Sequence, residues 1–178
     1  AWKADRPLRF ENMTLEAAGA RVAGAGTLDL QDKALPLNAK LDATVEDLSR
    51  FATLAKRPLA GQARARLDGR VELAGADTLG TSRDIPGLAD LPLGTFDLTL
   101  NTTTAGLAIG EPRLDAALAP VTQLYISARR DTDVLSLRDL SLDSDAIKAN
   151  GTGLISSESA QITLSAHAAE LSQFDPKL

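Results

Sequence analysis

The chain has 178 residues, of which 44% are hydrophobic, enough to form an extensive apolar surface and too many for a disordered tail. Its formal charge is −5 and no stripe gathers Lys and Arg, which argues against nucleic acid as a partner. With no cysteine, a disulfide framework, a thiol nucleophile and a cysteine-based zinc site are excluded.

Ala and Leu supply 30 residues each, whereas aromatic residues make up only 3%. A thick core is usually filled by bulky, interlocking side chains. Here the apolar surface is abundant but shallow, as in a thin sheet or a partly filled trough. No window approaches the roughly 18 consecutive apolar residues of a membrane-spanning helix. The start, AWKADRPLRF, has neither an initiator Met nor a signal-peptide core, so the chain reads as a piece of a longer protein.

From the N-terminus, LRFENMTL (Leu8 to Leu15) reads as a short strand. Val22, Gly24, Gly26, Leu28 and Leu30 alternate with other residues, as on one face of a second strand. Gln31-Asp32-Lys33 is a polar turn. Leu35, Leu37, Ala39, Leu41, Ala43 and Val45 then occupy every second position, with Pro36, Asn38, Lys40, Asp42 and Thr44 between them. That is a half-buried strand with one apolar face. From Asp47 to Ala55 the period changes: Leu48, Phe51, Leu54 and Ala55 share one helical face, Asp47 can cap the start and Pro58 stops extension.

Alternation resumes through Ala63, Ala65, Leu67, Gly69, Val71 and Leu73. Thr78 to Gly94, with Gly80, Pro86, Gly87 and Pro92, reads as a long loop and a seam. Phe96, Leu98 and Leu100 form a further strand, and Thr104-Ala105-Gly106 suggests a turn. Arg113 to Leu118, after Pro112, is a short helix. Leu135 with Leu137, Leu140 with Leu142, and Ala160, Ile162, Leu164 and Ala166 complete the pattern, with Ser156 to Ser159 as a hairpin turn.

The chain also repeats itself. Leu8 to Leu15 matches Leu135 to Leu142 at an offset of 127. Val22 and Gly26 match Ile147 and Gly151 at 125, and Leu41, Leu48, Ser49 and Phe51 match Leu164, Leu171, Ser172 and Phe174 at 123. One unit is a short strand, a glycine-bearing strand, a turn, a long strand and a Leu-Ser-x-Phe plug, and units of this kind stack to cover their apolar faces. The expected division is a first β unit over residues 1–77 with a short helix near 47–56, a linker at 78–94, and a second β unit over 95–178, all within one continuous segment.

These residues resemble a known family. The alternating strands, GTLDL, the Asp-Leu-Ser-x-Phe helix, RPLAGQARARLDGRVELAG, GEPRLDAAL and DVLSLRDLSLDSDAIKANGTGLI are similar to the TamB-like proteins of the AsmA-like superfamily, and the resemblance covers nearly the whole chain. It implies a fold: all-β, an elongated repetitive antiparallel sheet curled into a β-taco or half-open β-solenoid with an apolar interior and one or two short helices. It implies a place: the periplasm of a Gram-negative cell, in a protein anchored in the inner membrane by a segment outside this chain. It also implies partners, namely a TamA-like outer-membrane protein, phospholipid acyl chains and nascent outer-membrane proteins. The implied role is non-enzymatic, in outer-membrane protein and autotransporter assembly and in phospholipid transport between the two membranes.

An acyl chain needs continuous apolar area, worth about 25 cal/mol per Å², and no directed hydrogen bonds. The lining expected of such a groove is Leu28, Leu30, Leu37, Leu41, Val45, Leu67, Val71, Leu98, Leu100, Ile162 and Leu164. The small side chains would leave room for the guest. Two alternatives stay open. One is a chaperone-like template that pairs an exposed strand edge with incoming outer-membrane strands, an edge that Pro36 would weaken on one side. The other is a closed structural solenoid or adhesin stalk with a dry core.

Catalytic and ligand-binding chemistry finds little support. His167, the one histidine, lies on the polar parity of its strand and reads as solvated. Asp131-Thr132-Asp133 and Asp143-Ser144-Asp145 lack the glycine and distant glutamate of a calcium loop and read as turns. Gly24-Ala25-Gly26 leads into a strand rather than a helix, which disfavours a phosphate loop. Ala63 to Arg66 and Arg129-Arg130 read as solvated strand positions, and the Asn-x-Ser/Thr triplets at Asn12, Asn101 and Asn150 as ordinary strand or turn residues. No cofactor and no metal is expected.

Overall fold

The computed structural model describes residues 6–17, 19–73, 93–156 and 158–169. Nine strands follow one another in sequence order: β1 (Leu8–Ala17), β2 (Ala20–Leu28), β3 (Pro36–Val45), β4 (Ala60–Leu73), β5 (Leu93–Ala108), β6 (Val121–Arg130), β7 (Val134–Ser144), β8 (Ile147–Ser156) and β9 (Ala160–Ala168). Each pairs antiparallel with its neighbours in one sheet, nine-stranded among the described residues, with β1 and β9 outermost. The fold is all-β and the sheet is open, as expected for a taco-like architecture and unlike a closed solenoid.

The alternation read from the sequence sets which side chains share a face. In β3, Leu37, Ala39, Leu41, Ala43 and Val45 are half-buried while Asn38, Lys40, Asp42 and Thr44 are exposed. The polar parity carries directly opposed charges between strands. Lys40 stands opposite Asp68 with Nζ 2.9 Å from Oδ2, and Lys148 opposite Asp143 at 3.2 Å. Arg66 opposite Asp42 and Arg21 opposite Glu16 are looser, at 3.6 Å each. Each such pair contributes little alone, but together they favour one register over its slips.

Two short helices sit at the same end of the strands. After β3, a 3-10 turn over Leu48–Phe51 runs into α1 (Ala52–Ala55), with the Asp47 carboxylate accepting from the Ser49 N–H at 2.9 Å. Lys56, at φ 54°, ends it in the left-handed conformation before Pro58 is reached. Between β5 and β6, α2 (Pro112–Leu118) packs on β5 and buries Ala117 and Leu118. At the other end, side-chain carboxylates and hydroxyls close the turns. Asp29 and Asp32 accept from the N–H groups of Gln31 and Ala34, and the Ser156 hydroxyl accepts from those of Glu158 and Ser159.

Several expectations require correction. Thr104-Ala105-Gly106 is no turn: β5 runs through it, and Gly106, at φ 64°, forms an irregularity against Gly61 where the register shifts. The strand expected to start at Leu35 starts at Pro36, because Leu35 adopts φ 47° and closes the preceding loop. Leu30 also lies in that loop, beyond the end of β2 at Leu28. Pro36 opens an interior strand flanked by β2 and β4, so it protects no edge. The expected linker at 78–94 overlaps β5, which starts at Leu93, and its residues 78–92 lie outside the described residues, as does the plug at 171–174. Leu73 pairs with Leu93 across that interval, so both expected units belong to one sheet.

The register also realigns the repeat. Phe10 faces Gly26 and Met13 faces Gly24, while Leu137 faces Gly153 and Leu140 faces Gly151. The glycine strands therefore correspond as Gly24 with Gly151 and Gly26 with Gly153, keeping the offset of 127. Gly24 faces Leu41 and Gly151 faces Leu164, so the whole length change falls in the loop after the glycine strand. Loop length costs little, which is why the change is tolerated there.

Candidate functional site: an uncovered apolar sheet face

Residues directly opposite one another in a sheet point to the same side. One row can be followed through all nine strands: Met13, Gly24, Leu41, Leu67, Leu100, Ile126, Leu140, Gly151 and Leu164. The next row runs Phe10, Gly26, Ala39, Gly69, Leu98, Ala128, Leu137, Gly153 and Ile162. Neither contains a polar side chain. With about 4.8 Å between strands, eight intervals make an apolar strip about 38 Å long. One leaflet's acyl region is roughly 15 Å, half of a bilayer's hydrocarbon thickness.

Polar residues interrupt the flanking rows. Toward the loop after β6, the row through Leu28, Leu37, Val71 and Phe96 meets Arg130 and then continues as Leu135, Ile155 and Ala160. Toward the helices, the row through Val45 and Ala63 continues as Thr104, Thr122 and Ser144. The hydroxyls among them are satisfied. Thr122, 3% exposed, donates its hydroxyl to the Leu118 carbonyl at 3.0 Å, and the Ser144 hydroxyl accepts from the Ile147 N–H at 3.0 Å.

Parity along two strands is kept by β-bulges. Leu8 and Phe10 occupy even positions, Met13 and Leu15 odd ones, yet all four pair with apolar-face residues of β2 because the register shifts between Phe10 and Met13. Asn12, at φ 56°, takes up the extra residue. The same shift between Leu137 and Leu140 keeps Leu135, Leu137, Leu140 and Leu142 on one face of β7. Inserting one residue into one strand is the defining act of a bulge.

Among the described residues, no element covers this face. Among the described residues no large side chain is fully buried, and Leu164 and Ile162 are 67% and 53% exposed. Of the eleven expected lining residues, Leu28, Leu37, Leu41, Val45, Leu67, Val71, Leu98, Leu100, Ile162 and Leu164 lie on this one face. Leu30 does not join them, because it lies in the loop after β2 and is 47% exposed. Phe10, Met13, Ile126, Leu137 and Leu140 belong to the face without having been singled out. Two signals pointed to them: the Leu-x-Ile-x-Ala alternation from Leu124, and the pairs of apolar residues separated by two positions rather than one, which mark bulges.

The small residues have a packing role distinct from making room for a guest. A Cβ on Gly24 would sit 2.6 Å from Leu41 Cδ2, one on Gly151 2.5 Å from Leu164 Cδ2, and one on Gly69 2.7 Å from Leu98 Cδ2. Each glycine is overlain by a leucine from the adjacent strand, so at these points the space is already filled. Concavities of about 1020 and 450 Å³ open on the charged face instead, the smaller lined by Arg64, Arg66, Asn101, Tyr125 and Asp143 among others.

The other candidates resolve into structural roles. His167 pairs with Lys148 on the exposed parity of β9. Asp131 accepts from the Arg129 guanidinium at 2.9 Å and holds its pKa above the usual value; Asp143 is paired with Lys148. Arg64 and Arg66 are exposed strand residues. The 3-10 turn after β3 packs against β4, but neither it nor α1 buries a side chain, and Leu54 stays 69% exposed, so this element does not plug the sheet end. Among the described residues no group of three or more His, Asp or Glu is placed to hold a metal ion, and no helix is long and apolar enough to cross a membrane. No protein-family model, no curated protein and no solved structure matches this chain.

Proposed function

We propose that this chain is a TamB-like periplasmic segment that acts, without catalysis, in outer-membrane biogenesis, carrying phospholipid acyl chains along its apolar face between the inner and outer membranes. The observation that carries this reading is the pair of unbroken apolar rows crossing all nine strands on a face that none of the described elements covers. Contiguous exposed apolar patches of more than a few hundred Å² are rare on soluble proteins and mark interaction surfaces. The strip runs across the strands, so adding strands lengthens it without changing its width. A TamA-like outer-membrane protein is the partner proposed at the far end, with autotransporter and outer-membrane protein assembly as the process served.

The test is native mass spectrometry with lipid extraction on the protein purified from a Gram-negative periplasm. Co-purifying phospholipid, strongly reduced in Leu41→Asp and Leu164→Asp and retained in Thr163→Asp on the opposite face of β9, supports the reading. A folded, lipid-free protein, or one whose lipid is indifferent to these substitutions, overturns it.

A further inference from the structure

Five rows of side chains make up the apolar face, from the row of Leu8 and Leu28 to the row of Ala17 and Val45. Among the described residues one charged side chain stands in them. It is Arg130, the last residue of β6, which faces Phe96 on β5 and Leu135 on β7. The ion pairs of the strands, such as Lys40 with Asp68 and Arg138 with Asp97, lie on the opposite face. Arg129 belongs with them, its guanidinium held by Asp131. The two adjacent arginines therefore divide between the faces, and Arg130 is set at the margin of the apolar strip.

Nothing across the strands calls for a cation at this position, since Phe96 and Leu135 favour an apolar residue between them. Arg130 is exposed, so its alkyl stem can lie on the apolar surface while the guanidinium stays in water. There it presents the planar fork that suits a phosphate. An apolar site with a single polar group at its rim is built for an amphiphile, the polar group fixing its orientation. The dimensions suit a phospholipid. From β6 the strip runs five strand intervals toward β1, about 24 Å, against about 15 Å for the acyl region of one leaflet. The two rows without a polar side chain lie side by side next to the row of Arg130. The opposite margin offers no equivalent, because the hydroxyls of Thr104, Thr122 and Ser144 are engaged by the carbonyls of Thr122, Leu118 and Ile147.

From this we infer that Arg130 holds the phosphate of a phospholipid whose acyl chains lie across the strands toward β1, along the rows that begin at Ala128 and Ile126 on β6. The inference rests on the acyl-binding face proposed above and adds to it a headgroup position and an orientation. Apolar area alone does not distinguish one acyl chain from another, or a phospholipid from an uncharged diacylglycerol. A cation at the margin does, because it attracts only the molecule that carries an anionic head.

The test is calorimetric titration of the lipid-stripped protein. Dioctanoyl phosphatidylglycerol is expected to bind about five- to tenfold more tightly than dioctanoylglycerol, which has the same acyl chains and no phosphate. Arg130→Gln is expected to erase that preference and Arg130→Lys to keep part of it. Arg64→Gln, which removes an exposed cation from the other face, is expected to leave it intact. Equal affinity of the unaltered protein for the two lipids, or a preference that survives Arg130→Gln, overturns the assignment of Arg130 and leaves the acyl-binding face standing. Glycerol 3-phosphate binding as tightly as the lipid also overturns it, since that marks a site for a soluble phosphate. Failure of both lipids to bind overturns the acyl-binding reading itself, and the headgroup position with it.

Discussion

Arg138 of β7 reaches across β6 and grips Asp97 of β5 with both terminal nitrogens, Nη1 lying 3.1 Å from Oδ2 and Nη2 on Oδ1. On the way its Nε meets the Ser127 hydroxyl at 3.1 Å. Arg138 is also one of the two residues inside the β7 bulge. One residue therefore serves two purposes: it shifts the parity of its strand and, on the charged face, ties three strands together through the planar fork that suits a carboxylate.

These two purposes are separable by mutation. Arg138→Ala keeps the bulge and loses the fork, at a cost of about 0.5–1 kcal/mol because both partners are roughly half exposed. Deleting Arg138 removes the extra residue together with the fork, and leaves Leu135, Leu137, Leu140 and Leu142 in plain alternation on the same apolar face. Its cost is therefore expected to be close to that of Arg138→Ala, about 0.5–1 kcal/mol. Urea unfolding of the two variants is expected to give similar stabilities, and a deletion several-fold more costly than the substitution would mean that the bulge does more than correct parity.

The glycines of the apolar face should rank by the space above them. A Cβ on Gly24 collides with the Lys40 carbonyl oxygen and Leu41 Cδ2, whereas on Gly153 the nearest atoms are at 3.1 and 3.2 Å. Gly24→Ala is expected to cost about 1–3 kcal/mol through overpacking and Gly153→Ala under about 1 kcal/mol. Thermal unfolding of both variants checks the order, and a reversed order would contradict the packing of Leu41 over Gly24.

The opposed charges of β3 and β4 predict a charge-swap rescue. Lys40→Asp places two carboxylates opposite one another and Asp68→Lys two ammonium groups, each expected to cost about 0.5–1 kcal/mol. The double swap restores the attraction and most of the stability. A double-mutant cycle with no coupling would mean that this pair contributes nothing to the register.

Asp47 links the turn after β3 to pH. The Ser49 hydroxyl and the Ser49 backbone N–H hold its carboxyl below the ordinary carboxylate value. A group depressed in the folded state contributes stability above its unfolded pKa, about 3.9, and loses it as pH falls through the lower folded value. Amide exchange at Ser49 should therefore stay slow from neutral pH down to about 4 and, corrected for intrinsic rates, lose protection below it. Asp47→Asn, which caps without titrating, should remove that acid step.

Much of this was legible before any coordinates. Leu37, Leu41 and Val45 alternate with Lys40 and Asp42, and the folded β3 places them on opposite faces as that alternation requires. The helix starting beyond Asp47 and the one following Pro112 were equally readable, because caps and proline act within a few residues. The local pattern misled where a single glycine was taken for a turn. Gly106 can bend a strand or reverse it, and only its neighbour Gly61 on β4 decides which.

What the sequence by itself determined is therefore the secondary structure and the separation into an apolar and a charged face, since both follow from the two-residue period of a strand. What the tertiary structure alone decided is how those faces join. It set the bulges that keep Phe10 and Met13 on one side, the pairing of Leu73 with Leu93, and the seating of Leu41 over Gly24 and of Leu164 over Gly151. Alternation is a property of one strand and its chemistry. Register and packing over glycine are properties of pairs of strands, fixed only when each strand has a neighbour.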